Sequence, residues 1–157
     1  MPIKFFETHC KSSSDKEKFG LCDDVANSPA YIDETTSSKW IAIVSNRHKK
    51  KIEFFAIDNC LEILRPNGEM ESRCDGVLKD DKKLIFVELK KRESGKWFKK
   101  GREQLTTTLN IFLSNYNASD FDLIEAYVCN SLKPRSNPGR AESIQRFFDD
   151  TGYVLKD

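Results

Sequence analysis

RCDGVLKDDKKLIFVELKK, residues 73–91, is the stretch that decides the fold. Two apolar runs flank a short polar link at Asp80 and Asp81, and this pattern predicts a β-hairpin. The second run ends in Glu88, one leucine and Lys90, so charge follows directly on an apolar core segment. Because side chains alternate across a strand, Glu88 and Lys90 are expected to share one face of the sheet.

A second acid is expected beside this pair. If the two strands of the hairpin pair, Asp75 lies near Glu88 and Lys90, which gives two carboxylates and an ammonium at one end of an apolar sheet. Burying such charges is costly unless a metal or a network compensates for them. Carboxylate oxygens suit Mg²⁺ or Mn²⁺, while the lysine can stabilise charge on a phosphate or help to deprotonate a water.

The remaining elements follow from periodicity and turn residues. Segments 40–46 and 51–58 predict another hairpin, although the second also fits a helix. Pro66–Gly68 predicts a turn. Apolar residues at helical spacing between Phe98 and Tyr116 predict an amphipathic helix of roughly four turns. A strand at 121–130, a helix at about 141–149 and a short final strand at 153–156 complete the series.

Composition is that of a globular chain. The 157 residues are 38% hydrophobic and 32% charged, which predicts a single domain, 1–157. Residues 8–38 are polar and irregular, and we expect loops and short helices wrapped around the core as an N-terminal elaboration. No apolar region of a signal peptide and no stretch of about 18 apolar residues is present, so we expect a cytoplasmic protein without a membrane partner.

Cysteine usage supports the same compartment. The five cysteines are odd in number and form no CxxC pair. Cys60, Cys74 and Cys129 lie in apolar segments, where a free cysteine behaves as a small buried hydrophobe. A zinc site of His9, Cys10 and Cys22 is disfavoured, because the spacing fits no ordinary zinc-binding pattern.

Positive charge is concentrated directly after the hairpin. The net charge is only +1, yet residues 90–102 carry seven Lys or Arg against one acid, with two aromatic residues among them. Cations neutralise phosphates and aromatic faces stack on bases, so this run is a candidate nucleic-acid contact. Its candidate residues are Lys91, Arg92, Lys96, Trp97, Lys99, Lys100 and Arg102.

The order of Asp75, a hairpin and Glu88-Leu89-Lys90 resembles the catalytic signature of the PD-(D/E)XK nuclease superfamily. The resemblance covers 52–130 and implies an α/β fold of the restriction-endonuclease-like kind, a mixed central β-sheet flanked by α-helices. Cys74 stands at the proline position of the motif, a change that the family tolerates.

The resemblance also implies roles for individual residues. Asp75, Glu88 and the main-chain carbonyl of Leu89 would hold Mg²⁺ (or Mn²⁺), and Lys90 would take the lysine role. Gln104, on the following helix, matches the glutamine that some members carry, whereas Thr108 stands where a related motif has tyrosine. Among the upstream acids that would complete the metal site, Asp58 is preferred and Glu71 is second.

The sequence therefore predicts a metal-dependent nuclease, with DNA as the expected substrate and a homodimer left open. No phosphate-binding loop, GxSxG elbow or HExxH helix offers another chemistry. Two alternatives remain. One is a catalytically inactive nuclease fold that binds nucleic acid or protein, and the other is an immunity-type protein that pairs with an acidic partner.

Overall fold

Two β-sheets and two α-helices make up the part of the chain that this computed structural model describes, residues 2–134 and 137–157. The larger sheet has six strands in the order β1-β5-β6-β7-β8-β9, and the smaller has three in the order β3-β2-β4. The strands are β1 (Lys11–Ser14), β2 (Lys18–Cys22), β3 (Tyr31–Asp33), β4 (Ala42–Ser45), β5 (Ile52–Ala56), β6 (Gly76–Asp80), β7 (Lys83–Lys90), β8 (Leu123–Asn130) and β9 (Leu155–Lys156). The helices are α1 (Trp97–Asn115) and α2 (Arg140–Thr151).

The predicted hairpin of β6 and β7 is confirmed. The strands pair antiparallel from Gly76 opposite Val87 to Asp80 opposite Lys83. The turn places Asp81 at a φ of 54°, in the left-handed region that aspartate tolerates better than most residues. Beyond it, β7 pairs in parallel with β8, and α1 makes the crossover that a parallel connection requires. The sheet is therefore mixed, and the expectation of an α/β fold with a mixed central sheet is confirmed.

The predicted amphipathic helix is α1, which packs on β7 and β8. Its apolar stripe of Phe98, Leu105, Leu109 and Phe112 is fully or almost fully buried. Gly101 permits the close approach to the sheet, since a Cβ there would lie 2.7 Å from a methyl carbon of Val128 on β8. The first half of α1 is therefore pressed onto the sheet.

The C-terminal elements also agree with the sequence. Helix α2 covers the predicted segment 141–149 and ends at Gly152, whose φ of 82° suits a helix C-terminus. It packs against α1 and β9, and β9 adds a short parallel strand beside β8. Part of the core therefore lies between the larger sheet and its helices, and β2 of the smaller sheet adds Phe19 and Leu21 to the same core.

The predicted hairpin of segments 40–46 and 51–58 is wrong. Strand β4 pairs with β2 in the smaller sheet, whereas β5 pairs with β1 and β6 in the larger one. Strand β5 is buried on both faces, through Phe54 and Phe55, so it belongs inside a sheet with a neighbour on each edge. The helical alternative for 51–58 is excluded by the same pairing.

Residues 8–38 differ from the expected loops and short helices. Besides two one-turn 3-10 helices, Thr8–Cys10 and Ser37–Lys39, this region forms strands β1, β2 and β3. Strand β2 has a neighbour on each edge, and it is almost entirely buried because Phe19 and Leu21 pack into the core and Trp40 lies against Gly20. The polar N-terminal region is thus part of both sheets, and Asp23, directly after β2, lies near Asp75.

Cys60 is not the free thiol that the sequence suggested. It forms a disulfide with Cys10, with a Cα–Cα distance of 6.0 Å, whereas Cys22, Cys74 and Cys129 are free. The bond joins positions 50 residues apart, which no local spacing pattern reveals. Because disulfides are rare in the cytosol, cysteine usage no longer supports a cytoplasmic location. None of the helices described here is both long and apolar enough to cross a membrane.

Candidate active site

Asp75 and Glu88 meet at the open end of the β6–β7 hairpin. Asp75 immediately precedes β6, and the register places it opposite Glu88 on β7. The Asp75 N–H donates to Glu88 Oε1 (3.1 Å), and the Leu89 N–H donates to Asp75 Oδ2 (2.7 Å). The two residues are only 6% and 4% exposed. Two acids are therefore buried side by side, as the sequence predicted.

Gly76 allows this arrangement. A Cβ at Gly76 would lie 2.3 Å from the ring of Phe54 and 2.7 Å from the carbonyl oxygen of Phe55, so a larger residue would push β6 away from β5. On the other side, the Ile57 N–H donates to the Asp75 carbonyl (2.9 Å), which fixes the backbone of the acid from β5. The Asp75 side chain is therefore oriented by backbone contacts on two sides.

Burial changes the protonation of both acids. Loss of water and the neighbouring charge of Glu88 raise the pKa of Asp75 to about 9. Burial also raises the pKa of Glu88, but the charge of Lys90 opposes that rise. In the metal-free protein near neutral pH, Asp75 is therefore protonated, and Glu88 is the acid whose carboxyl contacts the lysine.

Lys90 lies between the acids and α1. Its Nζ is 3.0 Å from Glu88 Oε2 and donates to Gln104 Oε1 at 2.9 Å. Gln104 is itself held, because its Nε2 donates to the carbonyl of Arg73 (3.4 Å). One turn further along α1, the Thr108 hydroxyl accepts the Cys74 N–H (2.8 Å). Helix α1 thus positions both Lys90 and the segment that leads into Asp75.

The Leu89 carbonyl faces the same edge as the acids. The N–H and C=O of one strand residue point to the same side, and the Leu89 N–H points to Asp75. The next carbonyl, that of Lys90, points the other way, where it accepts from the Ser131 N–H (3.1 Å). An oxygen of Leu89 is therefore directed toward Asp75.

The two upstream candidates lie in different places. Asp58 follows β5 beside the site, where its N–H donates to the Cys74 carbonyl (3.2 Å) and its Oδ1 pairs with Arg73 (3.0 Å). Glu71 accepts from Arg65 Nε (3.1 Å), and none of its contacts reaches Asp75 or Glu88. The structure brings Asp58 to the edge of the site and leaves Glu71 outside it.

Asp23 is a site residue that the sequence analysis did not identify. It follows the last residue of β2, and its carboxyl interacts with that of Asp75. Asp23 is exposed, but partial loss of water and the charge of Asp58 raise its pKa, whereas the contact with Asp75 lowers it. The sequence does offer a signal for Asp23. The segment LCDD at 21–24 contains Cys followed by Asp, as does RCDG at 73–76, and Cys22 is the last residue of β2.

Another group of metal-type ligands lies away from this site. His9, Cys10 and Cys60 form the one set of three His, Cys, Asp or Glu residues within the described ranges whose ligand atoms lie within 4.8 Å of one another. Because the two sulfurs are bonded to each other, this group offers no thiolates for a metal. The acids around Asp75 are more widely spaced, and no three of them within the described ranges have ligand atoms within 4.8 Å of one another.

The basic run continues from Lys90 as a loop and the first turns of α1. Lys90, Arg92, Lys96 and Lys100 line a cavity of about 270 Å³ at this end of the sheet. Of the predicted contacts in the run, five are exposed and two are buried: exposed Lys91, Arg92, Lys96, Lys99 and Lys100, and buried Trp97 and Arg102. The Trp97 indole packs edge-on against Phe98 and is 6% exposed, so it offers no open face to a base.

Comparisons of the chain with known proteins find no matching protein family, no matching curated protein and no matching solved structure.

Proposed function

We propose that the protein is a metal-dependent nuclease of the PD-(D/E)XK type that hydrolyses phosphodiester bonds, with DNA as its substrate. The observation that carries the proposal is the buried pair of Asp75 and Glu88 in direct contact with Lys90. Two acids and a lysine in one desolvated cluster are costly to a fold that does not use them. The hairpin, helical crossover and parallel strand around them are consistent with a restriction-endonuclease-like core.

The donor set fits a hard divalent cation. Two carboxylates and a main-chain carbonyl, from Asp75, Glu88 and Leu89, supply oxygen ligands of the kind that Mg²⁺ and Mn²⁺ prefer. Burial raises the pKa of both acids. A bound cation would balance the negative charge of the two carboxylates, and a proton does so when no cation is bound. Asp23 or Asp58 would add a further carboxylate. When bound, such an ion would polarise the scissile phosphate and lower the pKa of a water.

Lys90 supplies the positive charge on the protein side. Its ammonium is held by Glu88 and Gln104, so it needs little reorganisation to face a phosphate beside the acids. A fixed cation in a desolvated site stabilises the charge that develops on the phosphate, and it can orient the attacking water. Gln104 is a positioning residue, since it acts through Lys90 and the carbonyl of Arg73.

The exposed cationic side chains that follow Lys90 would bind the phosphate backbone of the DNA strand. Arg92, Lys96 and Lys100 share a cavity with Lys90, so a nucleic-acid backbone bound there would reach the lysine that contacts Glu88. Such contacts read phosphates rather than bases. We therefore expect DNA binding that weakens steeply as salt rises and that shows little sequence preference.

Cleavage assays test the proposal. Supercoiled plasmid, single-stranded DNA and RNA are incubated with the protein in Mg²⁺, Mn²⁺ or EDTA, alongside Glu88→Ala and Lys90→Ala variants. We expect metal-dependent cleavage of DNA that both substitutions abolish. Cleavage in EDTA, or cleavage unchanged in either variant, would refute the mechanism. Salt-dependent binding with no cleavage in any metal would instead indicate the inactive binding module.

A further inference from the structure

A second basic cavity, of about 350 Å³, opens where the first turns of α1 and α2 come together. Four of its lining side chains are cationic and one is acidic. Lys96, Lys99 and Arg102 come from the start of α1, and Arg146 comes from α2. Cations from two elements that are far apart in the sequence therefore converge on one concave site.

Arg102 is the most informative residue in this cavity. It is only 7% exposed, and its Nε is buried without a hydrogen-bond partner. No ion pair joins its guanidinium to any acid in residues 2–134 and 137–157. It lies beside the first turns of α2, whose residues line the same cavity. Burying an unpaired cation is unfavourable, so an anion in the cavity would stabilise it.

The two helix N-termini add to the positive potential. Neither Lys96, at the N-cap of α1, nor Gly139, at the N-cap of α2, caps its helix with a side chain. Both residues line the cavity. The first N–H groups of a helix and its dipole favour an anion, and α2, with 12 residues, is long enough for this effect.

We propose that this cavity is a phosphate-binding site, separate from the acids at Asp75, which takes a phosphate group of the bound nucleic-acid strand. Lys96 lines both this cavity and the cavity that contains Lys90, so one nucleic-acid strand could extend across the two cavities. The identity of the strand rests on the proposed function, whereas the phosphate site itself does not. The phosphate is either an internal diester or a terminal monoester, and the two present the same oxygen chemistry to Arg102.

Inorganic phosphate is the first probe. Melting temperature is measured in EDTA with phosphate or chloride at equal ionic strength, for the wild type and for Arg102→Gln. A second variant, Lys99→Gln with Arg146→Gln, changes exposed side chains and leaves the buried position intact. The control is Arg47→Gln, which removes an exposed arginine outside the cavity.

We expect phosphate to raise the melting temperature of the wild type and of Arg47→Gln, and this rise to be absent or much smaller in both cavity variants. Equal rises in all four proteins would overturn the phosphate site. Because the measurement involves neither a divalent metal nor cleavage, its result is independent of whether the protein is a nuclease.

Oligonucleotides then identify the source of the phosphate. Binding in EDTA is compared for strands with a 5′-phosphate and strands with a 5′-hydroxyl. A terminal site predicts tighter binding of the phosphorylated strand and loss of that preference in Arg102→Gln. An internal site predicts equal binding of both strands, and a salt slope that falls by about one in the variant. The two cavity variants are Arg102→Gln and the Lys99→Gln, Arg146→Gln double variant. If both bind the two oligonucleotides as tightly as the control Arg47→Gln does, a nucleic-acid ligand is refuted.

Discussion

Asp75 and Glu88 are bound reciprocally across the β6–β7 hairpin: the Asp75 N–H donates to the Glu88 carboxylate, and the Asp75 carboxyl accepts from the N–H of the residue after Glu88. The backbone thus fixes both acids before any ligand binds. This arrangement is what a preorganised site for a cation requires, and it is costly without one.

The first prediction concerns stability with and without metal. Without metal, Asp75 must take up a proton to be buried, and Asp75→Asn replaces it with a neutral residue that avoids this cost, so we expect the variant to have a higher melting temperature in EDTA. It should also lose the stabilisation by Mn²⁺, which in the wild type would add about 2.7 kcal/mol at about one hundred times Kd. The matched control is Asp81→Asn, which changes an exposed acid at the adjacent turn. An equal Mn²⁺ response in wild type and Asp75→Asn would contradict a metal at Asp75.

The second prediction concerns pH. The pKa of Asp75 is raised from 3.8 to about 9 in the folded protein, so between these values the folded state holds a proton that the unfolded state has released. Metal-free stability should therefore fall as pH rises through this range, by at most about 1.4 kcal/mol per pH unit for this group. Urea unfolding in EDTA checks the slope. We expect a smaller slope for Asp75→Asn, and an unchanged slope would show that another group is responsible.

The third prediction concerns Gln104. Gln104→Leu removes the acceptor of Lys90 Nζ and the donor to the Arg73 carbonyl, so Lys90 is no longer held toward the acids. We expect cleavage to fall by roughly 10- to 100-fold. DNA binding in EDTA should stay unchanged, which separates positioning from binding. Gln145→Leu, on the exposed side of α2, is the control, and equal cleavage by the two variants would contradict the role of Gln104.

The fourth prediction concerns the disulfide. Cys10→Ser opens a bridge between positions 50 residues apart, and we expect the free energy of unfolding to fall by about 2–4 kcal/mol. Reducing agent should lower the stability of the wild type to a similar level while leaving Cys10→Ser unchanged. Cys129→Ser, at a free cysteine, controls for the loss of a thiol. A wild type whose stability does not respond to reduction would show that the bond contributes little.

The elements with strong local signals were predictable from the sequence. The β6–β7 hairpin follows from two apolar runs around a polar turn, and α1 follows from apolar residues at helical spacing. The meeting of Asp75, Glu88 and Lys90 follows from strand alternation once that hairpin is accepted. Gln104 was named only through the resemblance to the nuclease family, and in the structure it accepts a hydrogen bond from Lys90.

The elements that depend on distant partners were not predictable. Strand β5 pairs with β1, about 40 residues earlier in the chain, and nothing near 51–58 identifies that neighbour. Asp23 reaches the site only because β2 ends there, and the disulfide of Cys10 depends on the same long-range folding. Trp97 and Arg102 were predicted as nucleic-acid contacts, but both are buried, because Trp97 packs against Phe98 and Arg102 lies beside α2, which is distant in the sequence.

The most direct test of the central claim is a crystal structure of the protein soaked in Mn²⁺, with anomalous data that locate the ion. We predict a peak bound by carboxylate oxygens of Asp75 and Glu88 and by the Leu89 carbonyl, and its absence from crystals of Asp75→Asn. No peak at these residues in a wild-type crystal that binds Mn²⁺ elsewhere, or a peak that persists in the variant, would contradict the account.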